Sequence, residues 1–278
     1  MNDLEFRLKE KSMSEQGIVV GCDKYQEWLL PWWWEHYSIN NSFPVAFADF
    51  GMSEKALSWC RERGKCLTLP PIKTLHENEI FTPEKERWES HYGNGIWFFR
   101  SAWFKKPLSL LHCTFSMGIW IDLDCQINGM LDPLFNSLSF GAEIGLVREP
   151  QFIQTYDQEN GFLLPEEVNY NAGVIVFRRN ANILHQWIEE TIENNGEYPG
   201  DQQALCRAIY NHRPALIELP STFNWLRILG PNPDALIHHF TGDGKLEILK
   251  KTHPSLIPLI ENLKNKSQLQ NSPPQKNR

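Results

Sequence analysis

Two carboxylates set two residues apart, Asp122 and Asp124, close the apolar run Gly118-Ile119-Trp120-Ile121, and no other segment of the chain is as well suited to chemistry. Side chains two apart on an extended strand leave on the same side, so both can converge on one cation. Carboxylate oxygens favour hard divalent ions, and Mg²⁺ or Mn²⁺ keep positions open for the oxygens of a phosphate. D-x-D also arises by chance in ordinary loops. This pair gains weight from its place, directly after a buried-type strand and just before the aliphatic-rich stretch Leu131-Asp132-Pro133-Leu134-Phe135. In open α/β sheets, ligands bind outside the carboxyl ends of such strands.

A sheet must carry the pair, and the chain alternates between strand-like and helix-like segments. GIVVGC (17–22), PVAFADF (44–50), KCLTL (65–69), SMGIWIDLD (116–124), AEIGLV (142–147) and AGVIVF (172–177) are short, apolar and rich in β-branched residues, the pattern of buried strands. Helices are expected from Tyr25 to about His36, where Pro31 must start, kink or split the helix, and from a Ser53 cap through Arg61, stopped by Gly64. Others are expected near 83–91, over 96–111 with a bend at Lys106 ahead of Pro107, over 181–193 and 200–211, and over 254–264. ALIEL (215–219) and ALIHHF (235–240) read as short strands, and 149–169 as a long polar connection. Strand–helix alternation implies an α/β fold, a mostly parallel sheet flanked by helices. It forms one domain over 17–262, between a flexible segment (1–16) and a disordered polar tail (263–278). Trp32, Trp33 and Trp34 spread over some 200° of a helix, and core packing is the expected role for the set.

The bulk composition narrows the function. With 34 acidic against 27 basic residues the net charge is −7, which argues against nucleic acid or an acidic membrane surface as a partner. No stretch is long and apolar enough to span a bilayer, and the charged start of the chain has no apolar core of a secretory signal. Six cysteines without a C-x-x-C pair fit reduced, buried thiols, so the expected compartment is cytoplasmic. Oligomeric state is not readable from the sequence.

Five segments, in order over 17–245, resemble the glycosyltransferases of the GT-A (Rossmann-like) nucleotide-diphospho-sugar transferase fold. The resemblance is to family 8 in particular, the relatives of glycogenin and the lipopolysaccharide galactosyltransferases. GIVVGCDKY resembles the first strand and its Asp/Tyr loop. KKPLSLLHCTFSMGIWIDLDCQINGMLDPLF resembles the Lys-bearing helix, the D-x-D strand and the following D-P-L-F. YNAGVIVF, GDQQAL and HFTGDGK resemble the N-A-G strand, the D-Q-D-x-L helix start and the H-F-x-G-x-x-K near the carboxyl end. The resemblance implies that Asp122, Asp124 and His239 hold Mn²⁺ or Mg²⁺, and that Asp23 and Tyr25 meet the nucleoside. Gly242 and Lys245 would approach the diphosphate, Lys106 the acidic cluster or donor, and Asn171 and Gly173 the donor sugar. Asp201 and Gln202 would lie beneath the reacting anomeric centre.

Each assignment has a plainer counterpart. His239 could be a core histidine, with His238 the ligand. T-G-D-G could be a surface hairpin, N-A-G could merely open a strand, and Asp201 could cap a helix after Pro199-Gly200. Gln203 departs from the third residue of D-Q-D, and Leu246-Glu247 from the Pro-Trp that often follows the last Lys. The implied activity is metal-dependent transfer of a hexose from a nucleoside diphosphate sugar, a UDP-sugar by family expectation, with retention. The acceptor would be a carbohydrate, a lipid-linked sugar or a protein. A nucleotidyltransferase would show an early Gly-rich, basic phosphate loop, which GIVVGCDKY lacks; a non-catalytic nucleotide-sugar-binding protein is the third reading.

Overall fold

The computed structural model describes residues 15–138 and 141–256 of the chain. Most of the expected flexible start, the whole polar tail and the greater part of the helix expected over 254–264 lie outside the described residues. The strands are β1 (Gln16–Cys22), β2 (Val45–Asp49), β3 (Lys65–Thr68), β4 (Met117–Ile121), β5 (Cys125–Ile127), β6 (Ile144–Arg148), β7 (Tyr170–Arg178), β8 (Leu216–Glu218), β9 (Trp225–Leu226) and β10 (Ile237–His239). The helices are α1 (Leu30–Ser38), α2 (Glu54–Arg61), α3 (Thr82–Tyr92), α4 (Ile96–Trp103), α5 (Lys106–His112), α6 (Asp132–Ser137), α7 (Gln151–Glu159), α8 (Asn182–Glu193), α9 (Asp201–His212) and α10 (Lys245–Thr252).

Seven strands form the main sheet in the order β3-β2-β1-β4-β7-β6-β8. All run parallel except β7, which is antiparallel to both β4 and β6. The alternation of side chains across each strand divides the core in two. Ile18, Val20, Ile119, Ile121, Val174 and Val176 face one layer, with Leu30 and Trp33 of α1, Leu57 of α2 and Leu134 of α6 packed there. Val19, Trp120, Ile175 and Phe177 face the other, against Leu110 of α5, Trp187 of α8 and Leu205 of α9. A smaller cluster of Ile80, Trp88, Ile96 and Phe162 holds α3 and α4 together. The three consecutive tryptophans are core residues: Trp33 is fully buried, Trp32 nearly so, and Trp34 packs edge-on to Trp59.

Several expectations need correction. The helix expected from Tyr25 begins only at Leu30; of the three roles open to Pro31 it takes the first and opens α1, where its missing N–H had no intrahelical partner to lose. The single bent helix over 96–111 is two, α4 and α5, and the break falls at Phe104 and Lys105 so that Pro107 enters the first turn of α5. The connection over 149–169 contains α7. ALIHHF does not join the main sheet. Its β10 pairs antiparallel with β5 and parallel with β9 in a second, three-stranded sheet. T-G-D-G is no hairpin but a 3-10 turn leading into α10.

Candidate active site

The reversal of β7 brings two distant motifs to one edge. Because β7 runs against β4, its first residues lie beside the last residues of β4, with Ile121 opposite Val174. The Asp122 N–H then donates to the Gly173 carbonyl at 2.8 Å. β4 has already ended, so Asp122 and Asp124 project from a turn, closed by Cys125 N–H donating to the Asp122 carbonyl, and not from the strand itself. They converge nonetheless. The small sheet sets Cys125 opposite His239, and the Phe240 N–H donates to the Asp124 carbonyl at 2.9 Å. His239 Nε2 thereby lies 3.3 Å from Asp124 Oδ1 and 3.9 Å from Asp122 Oδ2. His238 turns away, with Nε2 on the Asn232 carbonyl and Nδ1 near Asn128.

Lysines flank the carboxylates on both sides. Lys106 Nζ sits 3.2 Å from Asp122 Oδ1 and 2.9 Å from Asp201 Oδ2, and Lys245 Nζ sits 2.7 Å from Asp124 Oδ2. Burial works against both ammonium groups, yet the carboxylates outweigh it and raise both pKa values. Burial likewise opposes ionisation of Asp124, but Lys245 and His239 hold its carboxyl well below the usual range. Asp201 goes the other way: burial raises its pKa against the pull of Lys106. Its side chain turns to Lys106 rather than capping α9, though its position in the first turn still suits the helix dipole.

The tautomer of His239 is set by a chain of amides. The Gly173 N–H donates to Asn171 Oδ1 at 2.8 Å, which fixes that amide, so Asn171 Nδ2 donates to Glu149 Oε1 at 2.7 Å. Asn224 Nδ2 also donates to Asn171 Oδ1, at 2.7 Å, and this leaves Asn224 Oδ1 to accept from His239 Nδ1 at 3.0 Å. In the neutral ring Nδ1 therefore carries the hydrogen and Nε2 presents its lone pair between Asp122 and Asp124. Three acceptors facing one another are the chemistry of a cation site. Asp124, Cys125 and His239 bring ligand atoms within 4.8 Å of one another, but burial pushes the Cys125 thiol well up. A neutral thiol suits a hard ion poorly; Asp122, outside that group but with Oδ2 3.9 Å from His239 Nε2, is by chemistry the better companion to Asp124 and His239 for Mn²⁺ or Mg²⁺.

Gly173 is needed for this arrangement: a Cβ there would come within 2.1 Å of His239 Cε1. Gly242 adopts φ +55°, left-handed backbone that suits glycine, ahead of Lys245. Gln202 is held on both ends, with Oε1 accepting from the Ala172 N–H at 3.1 Å and Nε2 donating to Asn169 at 3.0 Å and Glu149 at 3.2 Å. Asp23 closes a turn at the end of β1, accepting from the Tyr25 and Gln26 N–H groups.

These groups surround one cavity of about 580 Å³, within the size range of small-ligand sites. Asp23, Lys106, Asp122, Asp124, Asn171, Gly173, Asp201, Gln202, His239, Gly242 and Lys245 all line it. Tyr25 does not: it is 52% exposed, under the Lys24 ammonium, and Gln26 lines the cavity in its place. Sequence reasoning missed Glu149 and Asn224. Glu149 had a legible signal, a carboxylate at the carboxyl end of the AEIGLV strand, the same logic that singled out Asp122. Asn224, an isolated amide in a connecting segment, had none.

No family model matches the chain, and no curated protein sequence does. Among solved structures it is similar to the galactosyltransferase LgtC in complex with donor and acceptor sugar analogues, at 14% identity and a TM-score of 0.57 over 81% of this chain and 87% of that one. It is also similar to mouse xyloside xylosyltransferase 1 in its apo form, at 16% identity and a TM-score of 0.50 over 83% and 98% of the two chains. The apo glycosyltransferase GlyE of Streptococcus pneumoniae TIGR4 gives 14% identity and a TM-score of 0.55, over 82% of this chain and 55% of that one. The fold is thus GT-A, the fold of these glycosyltransferases.

Proposed function

We propose that the protein is a divalent-cation-dependent glycosyltransferase that moves a hexosyl group from a UDP-sugar to a hydroxyl acceptor, with retention of anomeric configuration. One observation carries this reading: Asp122 and Asp124 meet the His239 Nε2 lone pair inside a cavity whose fold is GT-A. These three side chains would hold Mn²⁺ or Mg²⁺, which when bound supplies Lewis acidity and charge neutralisation to a diphosphate. Lys245, at the start of α10, would leave Asp124 for the diphosphate, with the Gly242 backbone approaching closely. Asp23 and Gln26 would meet the nucleoside, and Asn171, Asp201, Gln202 and Glu149 the sugar.

The transfer forms a bond between the acceptor oxygen and the anomeric carbon while the carbon–phosphate oxygen bond breaks. Its electron pair leaves on the diphosphate, and the acceptor proton passes to the departing phosphate oxygen on the same face. A covalent intermediate has poor support, because the Gln202 carbonyl oxygen already accepts a backbone hydrogen bond and Asp201 is engaged by Lys106. Among the described residues no helix is long and apolar enough to cross a membrane. The six unpaired cysteines favour the expected cytoplasmic compartment.

The test is UDP release from a panel of UDP-sugars with Mn²⁺. Slow release is expected, and Asp124→Asn should lower it by at least about a hundredfold while leaving the far-UV circular dichroism unchanged. Unchanged turnover in that variant, or release of pyrophosphate in place of UDP, would overturn the reading.

A further inference from the structure

The cavity has a second wall that the donor chemistry does not use. Opposite Lys245 and Gly242, its lining continues through His91, Tyr92, Trp103, Phe152, Tyr156 and Asp157. These side chains come from three helices. His91 and Tyr92 end α3, Trp103 ends α4, and the rest lie on α7. The rings adjoin one another: Tyr156 and His91 are 5.0 Å apart between centroids and tilted by 34°, His91 and Tyr92 are 4.3 Å apart and edge-to-face, and Tyr92 and Trp103 are 6.3 Å apart. The His91 Nδ1 and the Tyr156 hydroxyl are 3.0 Å apart. Phe152 and Tyr156 stand 55% and 42% exposed although each lines a cavity, so much of their apolar surface faces open space.

Charge sorts what this wall can accept. Among the described residues, Lys106 and Lys245 are the only lysines or arginines that line the cavity, and both sit at the donor end in ion pairs with carboxylates. The aromatic wall carries instead a buried carboxylate, Asp157. One of its oxygens accepts from Asn169 Nδ2 at 2.6 Å, and the other has no partner among the described residues. Flat aromatic faces cover the C–H faces of a sugar ring, and a carboxylate oxygen accepts from its hydroxyls; neither stabilises an anion. Gln203, which replaces the last acid of D-Q-D, belongs to this wall: it is buried and its Nε2 donates to the Tyr92 hydroxyl at 3.1 Å. That departure from the family pattern therefore fixes the position of an aromatic side chain facing the cavity.

We propose that this wall is the acceptor subsite and that it takes an uncharged glycoside, with the ring stacked on Tyr156 and His91, Tyr92 set edge-on beside them, and a hydroxyl given to Asp157. The assignment rests on the glycosyltransferase reading, and two measurements keep the failures apart. Without any nucleotide-sugar turnover, saturation-transfer NMR with Mn²⁺ and UDP present should show lactose or maltose receiving magnetisation from the protein. Glucose 6-phosphate should receive none. With the UDP-sugar that the wild-type enzyme hydrolyses, the same neutral disaccharides should accelerate UDP release, and Phe152→Ala and Tyr156→Ala should each raise the acceptor KM by about tenfold, or 1.4 kcal/mol, with donor KM unchanged. If hexose phosphates bind as well as neutral disaccharides, the subsite assignment falls. It falls equally if neither variant moves the acceptor KM, or if no neutral glycoside binds to an enzyme that turns over its donor.

Discussion

Asn224 carries no charge and lies 15 residues from His239, yet its carbonyl oxygen decides which imidazole nitrogen faces the carboxylates. Residues that hold the far nitrogen of a ligating histidine typically contribute 10–100-fold to metal affinity. Asn224→Ala should accordingly raise the Mn²⁺ concentration needed for half-maximal UDP release by at least about tenfold; an unchanged Mn²⁺ titration would refute the relay. Asp157 gives a pH signature at the same scale. Burial raises its pKa to about 6 from an ordinary 3.8, so the folded protein holds this proton more tightly than the unfolded chain. The stability that this group contributes is therefore lost as pH rises from about 4 to about 6 and is constant outside that window. Asp157→Asn keeps the acceptor for Asn169 and removes the titration. Its melting temperature relative to wild type should climb between pH 4 and 7; a constant difference would dismiss the effect. Asp122 and Asp124 were legible because an apolar strand announces its own end. Gly173 was legible by type but not by task, since only the folded structure puts the His239 ring where a Cβ would go.

The direction of each strand is one thing element-level reading does not supply. A wholly parallel sheet would put the start of AGVIVF at the opposite edge from the end of SMGIWIDLD. Hydrophobic pattern alone is blind to strand direction, and only the antiparallel β7 unites them. α7 escaped notice because Phe152, Ile153 and Tyr156 serve a cavity as much as a core, so its periodicity is diluted by polar residues. β5 and β9, at three and two residues, are too short for any periodicity to register, whereas β10 lies inside the expected strand ALIHHF. Within α4, Arg100 is almost wholly buried with no carboxylate partner among the described residues. It donates to the carbonyls of Leu75, Tyr198 and Pro199 at 2.9, 2.9 and 3.2 Å, and to that of Asn195. Burial lowers its pKa only to about 10, so it stays charged at neutral pH. This guanidinium ties α4 to the segment that delivers Asp201 and Gln202. Arg100→Met strands several carbonyls at once and should cost roughly 3 kcal/mol in urea unfolding. A loss under about 0.5 kcal/mol would show that the clamp contributes little.

At the scale of the whole molecule, a protein of net charge −7 takes an anionic donor only where the field is locally reversed. Lys106 and Lys245 are already committed to carboxylates, so nucleotide and cation should bind as a pair. The UDP–Mn²⁺ pair, at about a hundred times the dissociation constant of the pair, should stabilise the fold by about 2.7 kcal/mol and raise its melting temperature by several degrees. UDP with EDTA should give little shift, and an equal shift without the cation would count against a shared site. The α/β class and the strands of the main sheet were legible because buried strands advertise themselves by composition. The second sheet and the aromatic wall were not, because their residues are scattered among segments that look like connections.

The order of the strands sets a schedule for synthesis. By residue 218 the growing chain has supplied every strand of the seven-stranded sheet, along with both aspartates and the N-A-G segment that begins β7. The imidazole at 239 and the ammonium at 245 come only afterwards, on the small sheet and the helix that follows it. A nascent chain can therefore form its core while its acidic pair still lacks both late partners.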